Sequence, residues 1–275
     1  AYSSSETTPE VTKETVETTD FSEPVETIQP SPEFNQYWYA SKAEITSFEL
    51  EQARYGEIHS GKAVLVFVTE DFSKDKQVKA DYSKKGDIPV MKLNFTKNFN
   101  TGIYPYSMMT STFVSVKQPK RHAIKVTTSS QEWCGHTFTQ LNNKKGKFEI
   151  EERSYFESEG DQSFSLNQHL LEDELWTKIR LSPESLPEGI HQVIPSFFYT
   201  RLSHKELKPY EARMEKKALE GNKTAYSIKY PDLNRQLEII YNNEFPNKIE
   251  GWEETYTSGW GKSAKTLTTK ATKIK

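Results

Sequence analysis

The sequence predicts a mainly-β protein, built as a large curved antiparallel sheet or an incomplete β-barrel, with one helix at about 165–180 and a disordered amino-terminal tail. Three observations predict this. Aromatic residues make up 12% of the chain while all hydrophobic residues together reach only 34%. Large amphipathic rings with few aliphatics suit half-buried strands better than helical bundles. After residue 34, short runs of period-two alternation are separated by Gly, Pro and Asn turn chemistry. One segment alone spaces its apolar residues as a helix does. Eleven or more antiparallel strands with one mid-chain helix imply a sheet that curls on itself.

The tail comes first. Residues 1–33 hold seven Glu and one Asp against a single Lys, a net charge of -7, which leaves +4 on the remainder. Thr, Ser, Glu and Pro dominate, so almost nothing can be buried to offset the entropy of ordering. We read 1–33 as a disordered acidic tether and 34–275 as a single mainly-β domain. Order is expected to begin at FNQYWY (34–39).

The strands follow. Over 43–54, Ile45, Ser47, Glu49 and Glu51 fall on one face, with Glu44, Phe48 and Leu50 on the other. Gly56 and Gly61 are expected to bracket a reversal. Residues 62–72, KAVLVFVTEDF, form the most β-prone run, with both faces expected to be buried. Further strands are expected at 90–95, 112–117, 123–129, 132–141 and 146–157. In 165–180 the apolar positions 166, 170, 171, 175, 176 and 179 mark a helix, capped by Ser165 or Asn167 and ended by Lys178, Arg180 and Pro183. Strands resume at 192–202, 208–217, 224–230, 235–241, 248–258 and 265–274.

Composition also narrows function. One cysteine excludes an intrachain disulfide and a cysteine-based zinc site. No run of 18 apolar residues is present. No basic run exceeds KQPKR (117–121), so nucleic acid is not an expected partner. The histidines lack metal-ligand spacing, and no phosphate loop, nucleophile elbow or HExxH motif occurs. No metal or cofactor is expected.

Three stretches carry candidate sites. In SSQEWCGHTF (129–138), read as one strand, Glu132, Cys134 and His136 share a face. A thiolate–imidazolium pair oriented by the carboxylate would make a Cys-dependent hydrolase or transferase. The plainer reading is a small thiol beside Trp133, with Gly135 marking a bulge or a close backbone approach. In NFNTGIYPYSMMTSTF (98–113), Tyr104, Tyr106, Met108 and Met109 combine rings with flexible thioethers, which suits an irregular apolar ligand such as an acyl chain. In GWEETYTSGWG (251–261), Trp252, Glu254 and Tyr256 share a face that could hold a sugar or a peptide. Trp133 and Trp252 complete the expected ligand-binding set.

The stretches 37–72, 98–113, 129–138 and 253–273 together resemble an uncharacterised family of Bacteroidetes (flavobacterial-type) envelope proteins, often labelled "septum formation inhibitor Maf". That label is misplaced here: AYSSSETTPE has serines without the Arg-bearing phosphate motif of true Maf proteins. The resemblance implies an outer-membrane-anchored lipoprotein, with a lipidated cysteine just before Ala1 of the precursor. The expected function is a non-enzymatic envelope protein that binds an apolar, lipid-like ligand or an outer-membrane partner protein through a concave sheet. The alternatives are the Cys134 enzyme and a structural subunit of an outer-membrane complex.

Overall fold

The computed structural model describes residues 27–274; residues 1–26 of the expected tail lie outside the described residues. Residues 27–33, expected to belong to the tail, are placed, with Ile28 N donating to Lys117 O at 2.9 Å and an unexpected helix starting at Pro32. The chain forms one sheet of 16 strands. After a short helix α1 (Pro32–Trp38), the first half runs β1 (Glu44–Arg54), β2 (Glu57–Ser73), β3 (Val78–Lys79), β4 (Ile88–Thr101), β5 (Tyr104–Ser115), β6 (Lys125–Glu132), β7 (Gly135–Lys144), β8 (Lys147–Ser154) and β9 (Gln162–Asn167). The second half runs β10 (Leu170–Leu171), helix α2 (Glu172–Leu181), β11 (Gly189–Ile194), helix α3 (Phe197–Ser203), β12 (Tyr210–Leu219), β13 (Lys223–Tyr230), β14 (Arg235–Asn242), β15 (Ile249–Ser258) and β16 (Lys265–Lys273). Strand order is β10 to β16, then β1, β2 and β4 to β9, with β3 on the side of β2. All pairs are antiparallel except β10–β11.

The two edges of this sheet, β9 and β10, are joined by Gln168 and His169 alone. Three Cα steps hold Asn167 and Leu170 within about 11 Å of each other. The sheet therefore curls until its edges almost meet, the incomplete barrel expected from sequence.

The strand at 43–54 and its faces agree with expectation: Phe48 and Leu50 are buried, Ile45, Glu49 and Glu51 exposed. Four elements differ. Gly61 is not in the reversal, which is Tyr55–Gly56; it lies inside β2, where a Cβ would meet Asn98 O at 2.4 Å and Phe99 Cβ at 2.6 Å. In 62–72 the face of Ala63, Leu65 and Phe67 is buried, while the other runs from exposed Lys62 through half-buried positions to buried Phe72. The helix expected over 165–180 occupies Glu172–Leu181, while 165–167 and 170–171 are strand. The apolar spacing there fits both periods, and pairing with β8 selects the strand. Ser165 and Asn167 thus cap nothing; Glu174 instead reaches back to accept from Leu171 N at 3.4 Å. The expected strand at 192–202 ends at Ile194 and gives way to α3, capped by Ser196, which accepts from Phe198 N at 3.2 Å. Phe197, Phe198 and Tyr199 are β-prone, but burial against the sheet overrides propensity.

Helix α2 lies inside the curl, across β4 and β5. Its ring Trp176 stands 5.0 Å from Phe95 and 5.2 Å from Trp252. Its far end is pinned by Arg180, whose guanidinium donates to both Glu44 oxygens at 2.7 and 2.8 Å and lies 4.5 Å from the Phe67 ring. No helix among the described residues is long and apolar enough to cross a membrane.

Candidate functional site: the open seam of the sheet

The interior divides into a filled part and an open part. In the filled part the inward positions of β4, β13, β14 and β15 carry rings and aliphatics, together with a buried ion cluster. Arg235 donates to both Glu172 oxygens at 2.6 Å and to Glu254 at 2.8 Å. Tyr230 donates to Glu172 at 2.7 Å, and Lys97 lies 3.8 Å from Glu254. Burial disfavours every one of these charges, and the opposite charges answer it. Arg235 is held well above its ordinary value by Glu172 and Glu254, and Glu254 below its own by Arg235 and Lys97. Lys97 is pulled down, chiefly by burial. Burial likewise pushes the Asp173 carboxyl up to about 7, although Phe197 N donates to it at 3.0 Å. Burial would raise Glu174 too, but Lys178 and His122 beside it bring it to about 2. The remaining space among Phe95, Lys97, Trp176, Arg235 and Glu254 is about 10 Å³, room for one water.

The open part is the seam. Between β9 and α3 lies a groove of about 770 Å³. Its sheet wall is hydroxyl-rich, with Thr128, Thr137, Thr139 and Ser154; its floor is Phe164, Leu166 and Phe197. Opposite stands Arg201 of α3, with a side chain only 9% exposed. Arg201 donates to Glu132 at 2.6 Å and lies 3.6 Å from Glu159, and its Nε is buried without a partner. His204 contacts Glu159 at 2.6 Å. Burial would raise Glu159, but His204, Ser154 and Arg201 hold it low. Glu152, in the groove wall, is raised by burial and by the charge of Glu159, with a Thr139 hydrogen bond opposing.

Strand β9 bounds this groove as a free edge. It pairs with β8 on one side only, so alternate N–H and C=O groups face away from the sheet. Edge strands are ordinarily guarded by charge or proline. The β9 sequence QSFSLN contains neither.

The sequence-derived sites fare differently. SSQEWCGHTF is not one strand but a hairpin: β6 ends at Glu132, Trp133 and Cys134 form the turn, and β7 begins at Gly135. Glu132 pairs with Gly135 and Gln131 with His136, so Glu132 and His136 point to opposite faces. Glu132 is buried against Arg201, while Cys134 and His136 are exposed. The triad Cys134, His136 and Glu132 is therefore not assembled. The close approach expected at Gly135 is present: the Tyr155 ring covers it, and a Cβ there would lie 2.4 Å from Cγ. The ligand-binding set is dispersed as well. Tyr106, Met108 and Trp252 are buried in the packed interior, with Trp252 only 1% exposed. Met109 lies on the outer surface, and Trp133 is a 64% exposed hairpin tip. Only Tyr104 joins two of them, 5.4 Å from Tyr106 and 5.5 Å from Trp133, with its hydroxyl accepting from Cys134 N at 2.6 Å. Glu254 and Tyr256 do share a buried face with Trp252, as expected, but as part of the core. Glu152 stands out in the sequence only as half of the adjacent pair Glu151 and Glu152, which face opposite ways, and Glu159 not at all; Arg201 is hidden because 192–202 reads as strand and conceals the inward turn of α3. Among the described residues no group of three or more His, Cys, Asp or Glu is placed to hold a metal.

Comparison of the chain with protein-family models, curated proteins and solved structures gave no match.

Proposed function

We propose that the protein is a non-enzymatic binding protein whose open seam receives an extended segment of a partner protein, which adds as a strand to β9. The observation that carries this is the unguarded β9 edge beside a groove of about 770 Å³. An extended polypeptide offers what that site leaves unmet. Its backbone completes the ladder of β9, its carbonyl oxygens suit the unpartnered Nε of Arg201, and alternate side chains enter the hydroxyl-lined wall. A buried donor without an acceptor costs about 1–3 kcal/mol, so an incoming carbonyl gains by that margin. The curl itself is a poorer host for an apolar ligand, since α2 and the aromatic core occupy it. The resemblance to envelope proteins supports a partner in the cell envelope and an anchored precursor.

The test is selection from a random linear-peptide library against the native chain. Enriched peptides are expected to lose at least tenfold in affinity on Thr139→Trp, which fills the groove, and on the double variant S163K/S165K, which puts charge on the free edge. Peptides that bind both variants as tightly as the parent, or a chain that enriches no peptide and releases extractable lipid instead, would contradict the proposal.

A further inference from the structure

Because neighbouring strands alternate in direction, the connections β2–β4, β5–β6 and β7–β8 lie together at one end of the sheet, opposite the hairpin of Trp133 and Cys134. The first two connections, 74–87 and 116–124, contain Lys74, Lys76, Lys79, Lys84, Lys85, Lys117, Lys120 and Arg121 against three aspartates, Asp75, Asp81 and Asp87. All eight cations are exposed, and among the described residues none is in an ion pair. Lys145, in the third connection, is exposed beside them. The loops are tied into one surface: Gln77 donates to Asn143 O at 2.7 Å, Lys125 to Gln77 O at 3.3 Å, and Asn143 N to Ile124 O at 2.9 Å. Between them opens a cleft of about 580 Å³, rimmed by Lys74, Arg121, Lys144 and Lys145. Tyr82, 88% exposed, and Val78 project from the same lysine-rich loop.

We propose that this end docks on an anionic phospholipid surface. Clustered lysines are drawn to lipid phosphates, and a tyrosine among them has the ring-and-hydroxyl character of side chains that settle at headgroup level. The charge is presented on loop tips beyond the strand ends, as a flat contact requires, rather than along a groove that would track a nucleic-acid backbone. The opposite end has no such excess: its hairpin tips are Tyr55, Ile103, Trp133 and Trp260, with acids and bases mixed around them. The site is separate from the seam, so either proposal can stand without the other.

The experiment is co-sedimentation of the full chain with vesicles of pure phosphatidylcholine and of phosphatidylcholine with 30% phosphatidylglycerol. Binding only to the anionic vesicles is expected, weakened at least tenfold between 50 mM and 500 mM salt. The exposed variant K84E/K85E/K120E/R121E is expected to lose at least tenfold at low salt, with peptide binding at the seam unchanged. Tyr82→Ala is expected to weaken binding about threefold at either salt. Equal binding to both vesicle types, an unaffected charge-reversal variant, or loss of duplex DNA binding without loss of vesicle binding would each overturn the proposal.

Discussion

Two regions of one sheet obey the same alternation and turn opposite chemistry inward. Around α2 the inward positions hold Phe95, Trp252, Tyr226 and Tyr230, with Lys97, Arg235 and Glu254 locked together in the ion cluster. Along β6 to β9 the same positions hold Thr128, Thr137, Thr139 and Glu152, facing an open groove rather than packed rings. The first region is a core that has consumed its own concavity. The second meets only the short helix α3 across an open groove, and it has a free edge and an arginine with an unused donor. The difference teaches where to look for binding: at the place where the sheet stops closing, not at its centre.

The contrast can be broken most forcefully at the ion cluster. Arg235→Ala removes the guanidinium from between two buried carboxylates, leaving Glu172 only the Tyr230 hydroxyl and Glu254 only Lys97 at 3.8 Å, and breaking such a buried pair costs about 3–5 kcal/mol. Urea unfolding should show that loss, and Trp252→Ala should cost a similar amount through the cavity it opens among Phe48, Phe95 and Trp176. In the seam, Thr139→Ala should change stability by no more than about 0.5 kcal/mol. Equal losses in the two regions would erase the distinction.

Titration sharpens it next. The folded Asp173 carboxyl, at about 7, binds its proton more tightly than in the unfolded chain, where about 3.9 is ordinary. The folded state then holds more protons between about pH 4 and 7, so stability falls as pH rises through that window. Asp173→Asn should flatten this slope. Glu174, lowered to about 2, has the opposite sign: its contribution is complete above the unfolded value, near 4.3, and is lost as pH falls toward 2. Glu174→Gln should remove that acid limb. Stability curves of D173N and E174Q indistinguishable from the parent would show that these carboxyls are not coupled to folding as described.

The smallest effect expected is at the hairpin tip. Cys134→Ser should leave stability within about 0.5 kcal/mol and peptide binding unchanged, because the thiol is exposed and unpaired. A variant that lost turnover of any substrate would instead revive the thiol chemistry.

Much of the fold was legible because period two is a strong signal where one face is buried. Residues 43–54, 224–230, 235–241 and 248–258 fall within a residue or two of β1, β13, β14 and β15. The site was not legible, for identifiable reasons. Leu166, Leu170 and Leu171 satisfy both strand and helix spacing, which concealed the free edge of β9. The β-prone run Phe197–Ser203 concealed α3 and with it Arg201. Trp133 and Cys134 form a two-residue turn without glycine or proline, so the hairpin read as one strand and gathered a triad that does not exist. One available signal went unused: Lys97 falls in phase with Leu93, Phe95 and Phe99, and a charge in the apolar phase of a strand calls for a buried partner.

The central claim is that the seam, and not the curl, receives the partner. Amide hydrogen exchange of the native chain, with and without a peptide selected against it, tests this most directly. Protection of residues 162–167, with the amides of β13 to β15 unchanged, is the result expected. Protection confined to β13–β15 and α2, with residues 162–167 exchanging as in the free chain, would contradict it.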